Sequence, residues 1–179
     1  ILDDRCLDAM RALENLYLHQ ENWIECQDIL ELMLSTIEDT DRKVDVYQRL
    51  ARLQRESMQD VEGAVDTYRR IIGVRPGNVP AVESLEAIFS EQDRWDELVD
   101  VYGLHLEAVS DSEYVQTVRT LMGDIIRTKL EDSARAVDVL LPILEIQPDH
   151  LATVRSLAEL YLEQEEWTKA IDMMTKEVD

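Results

Sequence analysis

Asp93-Arg94-Trp95-Asp96-Glu97-Leu98-Val99-Asp100-Val101-Tyr102 decides how this chain is read, because it has two counterparts. Glu21-Asn22-Trp23-Ile24-Glu25-Cys26-Gln27-Asp28-Ile29-Leu30 stands 72 residues before it, and Glu165-Glu166-Trp167-Thr168-Lys169-Ala170-Ile171-Asp172-Met173-Met174 stands 72 after. The three stretches hold every tryptophan of the chain. Pro76 and Pro148 keep the same distance, as do Ala64 and Ala136. Self-similarity at a fixed long period marks a repeat architecture, in which each unit buries its apolar face only against its neighbours.

Outward from these stretches the apolar residues recur at steps of three and four, the helical period. Leu7, Met10, Leu13, Leu16 and Tyr17 predict a helix over 3–18, and Ile24, Cys26, Ile29, Leu30 and Met33 put the inward face on a helix over 23–37. Further helices are expected over 42–57, 61–74, 80–90, 95–109, 113–129, 134–147, 151–163 and 167–178. Asp60, Ser110-Asp111-Ser112 and Asp132-Ser133 supply N-cap oxygens, and Arg75-Pro76-Gly77-Asn78 and Gln147-Pro148-Asp149-His150 end helices. The expectation is all-α: ten helices in five antiparallel pairs. Pro142 falls inside a helix, where a lost backbone bond and a ring clash cost about 3 kcal/mol, so a kink is expected there.

The bulk composition agrees. Five Gly, four Pro and one Phe leave little material for loops or strands, and 45% hydrophobic residues suffice for a core. Net charge is −21, which excludes nucleic acid and anionic membrane surfaces as partners, since both need a basic face. No apolar run reaches membrane-spanning length. Cys6 and Cys26 lie in no metal-binding spacing and about two helical turns apart in register, so no disulfide is expected, and a reduced, cytoplasmic setting is. The chain opens Ile1-Leu2 without an initiator Met and reads as an excerpt of a longer repeat protein.

Chemistry-bearing constellations are missing from the sequence. His19, His105 and His150 have no His or Cys at ligand spacing, and they read as surface or inter-helix polar contacts. There is no nucleophile motif, phosphate loop or HExxH. No metal or cofactor is expected, and no catalytic residue. The tryptophans are expected to fill the gap to the next repeat.

With residues in this order, the chain resembles the tetratricopeptide repeat family, whose unit of about 34 residues is a helix–turn–helix with loosely patterned large and small positions. Tyr47, Leu50, Ala51, Ala64, Tyr68, Ile71 and Pro76 carry the likeness in the second repeat. Met122, Gly123, Ile126, Ala136, Leu140, Ile143 and Pro148 carry it in the fourth, and Leu157, Ala158, Tyr161, Trp167 and Ala170 in the fifth. Glu14 and Glu86 depart from it, standing where a small residue is usual. The resemblance implies a right-handed α-solenoid of five repeats, about 3–39, 42–77, 79–111, 113–149 and 151–179. From Trp23 the equivalent positions step by 38, 34, 38 and 34 to Trp167, so longer loops or helices are expected around 38–41 and 110–113.

The resemblance also implies a protein-binding scaffold whose first helices line a concave face. That places Arg11, Asn15, Gln48, Arg49, Arg52 and Arg55 on this face, with Asp124 and Arg127 further along. Residues 42–75 hold eight bases against five acids, the only net-positive window, so an acidic partner segment is expected. The family's two-carboxylate clamp is incomplete: Arg11 and Asn15 fit its first part, but Arg49 stands where Asn is expected and Pro80 and Ser84 where bases are. Two other readings stand beside this one: the arginines pair with the chain's own acids, or the segment is an architectural spacer that positions other domains or a self-association segment that pairs through exposed terminal helices. Ile171, Met174 and Val178 are apolar residues at helical spacing with no capping helix after them, so exposed apolar surface is expected there, covered by further chain or by a neighbouring copy.

Overall fold

The computed structural model describes residues 4–178, and among these all regular structure is helical. The helices are α1 (Asp4–His19), α2 (Trp23–Thr36), α3 (Thr40–Arg52, continuing to Ser57), α4 (Val61–Val74), α5 (Val79–Glu91), α6 (Trp95–Leu106), α7 (Ser112–Thr128), α8 (Ser133–Ile146), α9 (Leu151–Glu163) and α10 (Trp167–Val178). By contact the chain divides into two compact units, residues 1–88 and 89–179, with the boundary inside α5.

Each odd-to-even turn is made the same way. Glu21, Gln59, Asp93, Glu131 and Glu165 all take left-handed backbone, with φ between 54° and 60°. Non-glycine residues adopt this region at a cost, so its recurrence at one position per repeat marks a required bend. The next amide then reaches back to the preceding helix. Asn22, Arg94 and Glu166 donate to the carbonyls of Tyr17, Phe89 and Tyr161, five residues earlier. Asp60 and Asp132 donate to Gln54 and Ile126, six residues earlier.

That extra residue locates the longer repeats. The last turn of α3 widens, with Met58 N donating to Leu53 O at 3.1 Å, and α7 ends likewise with Leu130 N on Ile125 O at 3.3 Å. α5 and α9 are 13 residues long, whereas α7 has 17 and α3 adds the five residues Leu53–Ser57 to its 13. The added length therefore sits in the first helices rather than in loops. Capping alternates with the same period. Asp39 and Asp111 accept from Arg42 N and Tyr114 N at the starts of α3 and α7, and Asp60 and Asp132 from Gly63 N and Arg135 N at α4 and α8. Asn78 and His150 serve α5 and α9.

In unit 1 a cluster of Met10, Leu30, Met33, Val46, Leu50 and Leu53 joins α1, α2 and α3, with Trp23 half-buried against it. Ile24, expected inward, is 68% exposed, because the start of α2 turns it away from this cluster. In unit 2, α6 contacts α7, α7 pairs with α8, α8 contacts α9 and α9 pairs with α10. Trp95 is half-buried with the Lys129 ammonium 5.0 Å above its ring, a cation–π contact. Trp167 corrects the expectation for all three tryptophans: it is 59% exposed, since no further repeat covers it among the described residues. α8 remains one helix through Pro142, and Arg119 Nη1 donates to the Val139 carbonyl at 3.3 Å in the turn before it. α6 ends at Leu106, earlier than the expected 109.

Gly123 shows why a small residue is required in the first helix. A Cβ there would lie 2.8 Å from Leu140 Cγ and Cδ2 on the paired helix. Gly123→Val is expected to lower stability by about 1–3 kcal/mol through overpacking, read as a reduced urea midpoint with unchanged slope.

Candidate functional site

The predicted residues separate by unit. In unit 1 a pocket of about 410 Å³ opens between α1, α2 and the end of α3, and Asn15, Arg49 and Arg52 all line it. Glu14, Cys26 and Glu56 share the lining. Arg11, Gln48 and Arg55 lie outside it, although Arg11 stands one turn before Asn15 on α1. Asp124 and Arg127 belong to unit 2.

α3 positions the arginines. Arg49 and Arg52 stand three apart on one face of a helix whose apolar side is buried through Val46, Leu50 and Leu53. Their settings differ. Arg49 Nη1 is bonded to the carboxylate of Glu14 on α1, and that side chain is only 5% exposed. Arg49 Nη2 lies 3.1 Å from an Asp45 oxygen, an ion pair without hydrogen-bond alignment. Arg52 is exposed and makes no ion pair with any described residue.

Glu14 is the residue that the sequence reading did not assign. An acid at a small-residue position is the signal that could have found it: tight packing buries that position, and a buried carboxylate needs a cation. Cys26 sits beside it and donates weakly to the Glu14 carbonyl at 4.0 Å. Burial first, and then the Glu14 charge, push the Cys26 thiol above its ordinary pKa, while Arg49 acts the other way. The thiol is thereby kept protonated and unreactive at neutral pH. Both cysteines are free.

In unit 2, Asp124 lines an open groove of about 820 Å³ along α7, with Glu113, Gln116, Thr120 and the loop residues Gln147 and His150. These hydroxyl and amide groups were not picked out from sequence, because scattered polar residues on one helix face look like ordinary solvated surface. Arg127 is engaged elsewhere. Its Nη1 donates to Glu159 at 2.6 Å and its Nη2 to Glu163 at 2.7 Å, both on α9, and Glu163 also accepts from Ser133 Oγ at 2.9 Å. The Glu159 and Glu163 bonds raise the Arg127 pKa. The Ser133 bond, followed by the Arg127 interactions, lowers that of Glu163.

Arginines also tie like helices of successive repeats. Arg70 on α4 meets Glu31 on α2 at 2.7 Å, and Arg135 on α8 meets Asp96 on α6 at 2.8 Å. Part of the basic window is thus internal counter-charge. His105 is fully buried and sits 3.1 Å from Tyr114 Oη across the α6–α7 contact, an inter-helix polar contact. Among the described residues no group of three His, Cys, Asp or Glu is placed to hold a metal ion, and no helix is long and apolar enough to cross a membrane.

Two stretches match family models described as tetratricopeptide repeat, residues 40–78 and residues 81–113. No curated protein matches the chain. Among solved structures the chain is similar to one titled crystal structure of MamA, at 10% identity and a TM-score of 0.50, covering 92% of each chain. It is also similar to MamA AMB-1, at 19% identity and a TM-score of 0.50, covering 98% of this chain and 91% of that one. MamA 41-end from Desulfovibrio magneticus RS-1 matches at 15% identity and a TM-score of 0.45, covering 96% and 92%. The likeness at 0.50 is one of fold: an all-helical repeat solenoid.

Two outcomes check the charge assignments. Arg49→Met leaves a buried carboxylate unpaired and is expected to cost about 3 kcal/mol, whereas Arg49→Met with Glu14→Leu should recover most of it, as read by urea unfolding. Because the folded state holds Glu163 below its unfolded pKa, its contribution is present above that unfolded value and is lost as pH falls through the folded one. The pair is well exposed, so the effect is small, under about 1 kcal/mol. Glu163→Gln should flatten the acid limb of thermal midpoint against pH.

Proposed function

We infer that this chain, a tetratricopeptide-repeat protein, is a non-catalytic scaffold that binds a segment of a partner protein, and that the first two repeats take an acidic one. The family is one of protein-interaction scaffolds. The observation that carries the finer reading is the unit 1 pocket, which gathers Asn15, Arg49 and Arg52 and leaves Arg52 exposed without an internal ion pair. A guanidinium in this position holds a carboxylate by two parallel bonds, and Asn15 adds an amide donor beside it. Arg49 contributes field rather than contact, since Glu14 and Asp45 already occupy it. The negative charge of the rest of the chain repels acidic segments elsewhere and favours selectivity over affinity.

The informative variant is Arg52→Glu, because Arg49→Glu would set a second acid against buried Glu14 and damage the fold. Fluorescence anisotropy with labelled acidic and charge-reversed peptides is expected to show a preference for the acidic ones that weakens with salt. Arg52→Glu should weaken it at least about tenfold, or roughly 1.4 kcal/mol, with helix content unchanged. Equal binding of both peptide charges, unaltered by Arg52→Glu, rejects the acidic partner.

A further inference from the structure

The side chains that line the unit 1 pocket fall into two sets by burial. Glu14, Cys26, Leu30 and Leu53 are buried and form its floor. Asn15, Leu18, Arg52 and Glu56 are exposed and form its mouth. All of these walls come from the first two repeats, so the pocket is bounded within the described chain. The floor is apolar apart from Glu14, whose carboxylate is bonded to Arg49 Nη1. Arg52 brings a cation to the mouth, with no ion pair to any described residue, and Leu18 brings an apolar wall.

A carboxylate is the wrong group to fill such a pocket. On the floor it would lose its water and meet the Glu14 carboxylate, while Arg49 is already neutralised by Glu14 and Asp45. At the mouth it keeps its hydration and faces Arg52. A second acid there would face Glu56, one turn further along the same helix. The acid of a bound segment therefore belongs at the rim, and the floor is left for something uncharged.

We propose, on the acidic-segment reading given above, that the floor takes an apolar side chain of leucine or methionine size from the same segment whose acid Arg52 holds. The pocket, at about 410 Å³, has room for that side chain and the backbone that carries it. In an extended segment the side chains two positions apart share a face, so the acid and the apolar residue are expected at that spacing. Salt then weakens the share of binding due to the acid and leaves the apolar share in place.

The probes are peptides of glycine and serine, blocked at both ends so that the only acid is a side chain, carrying Glu-Ser-Leu, Glu-Ser-Ser or Gln-Ser-Leu. Heteronuclear NMR titration of the 179-residue chain reads each affinity. Glu-Ser-Leu is expected to bind at least about tenfold more tightly than either of the others. Leu18→Ser changes an exposed position, so circular dichroism should report unaltered helix content. It should weaken Glu-Ser-Leu at least about threefold and leave Glu-Ser-Ser unchanged. Glu-Ser-Ser binding as tightly as Glu-Ser-Leu overturns the apolar occupant and leaves the acidic segment standing. Gln-Ser-Leu binding as tightly as Glu-Ser-Leu overturns the acidic segment itself. No binding by any of the three overturns both.

Discussion

The left-handed residue between the two helices of each repeat is the constraint on which the rest depends. It turns the chain back within three or four residues, so the following amide meets a carbonyl in the last turn of the helix just finished. Once that bond is made, the paired helices are held close, and the small side chains Ala51, Gly123 and Ala158 become necessary. Large side chains are then displaced to the flanks, where they make the junctions between repeats. Acids and amides occupy the bend, at Glu21, Gln59, Asp93, Glu131 and Glu165, and none of the chain's glycines takes positive φ. The strain is carried by residues that keep the turn soluble, and it is offset by the packing on either side.

Charge does two kinds of work here, and burial separates them. Arg49 is withdrawn into a pair with Glu14, and Arg127 is held by Glu159 and Glu163, so both act mainly to fix neighbouring first helices in register. Arg52 stands on the same face as Arg49, one turn away, and is left open. Neighbouring arginines on one helix face thus divide into one held by internal acids and one left open to solvent. The distinction follows from which acids the fold brings near, not from the arginines themselves.

Much of this was legible in the residues. The spacing of Trp23, Trp95 and Trp167 fixed the repeat, and Asp60, Asp111 and Asp132 announced the helix starts that they cap. Where the reading failed, the cause was three-dimensional. Ile24 looks inward by period, but it is Trp23 beside it that packs on the unit 1 cluster, and Ile24 is left facing solvent. The four added residues of the longer repeats could sit in a loop or a helix on sequence grounds. The structure puts them in α3 and α7, and the reach of six rather than five residues to Gln54 and Ile126 accounts for one of them at the helix end. Glu14 resisted because a buried acid is recognisable only with its partner, and Arg49 lies 35 residues away. The groove along α7 resisted because its hydroxyls and amides share a lining with Gln147 and His150, which lie more than 20 residues further along the chain.

The alternation of five- and six-residue returns has a consequence for how such a chain grows or shrinks. Asp-capped second helices follow the wide return, and helices opening with tryptophan follow the tight one. Excision of one repeat would set two repeats with the same kind of return side by side and break the alternation. Excision or duplication of 72 residues between equivalent points preserves every cap, bend and return. The unit that repeats without altering any bend or cap is therefore the pair of repeats, not the single one.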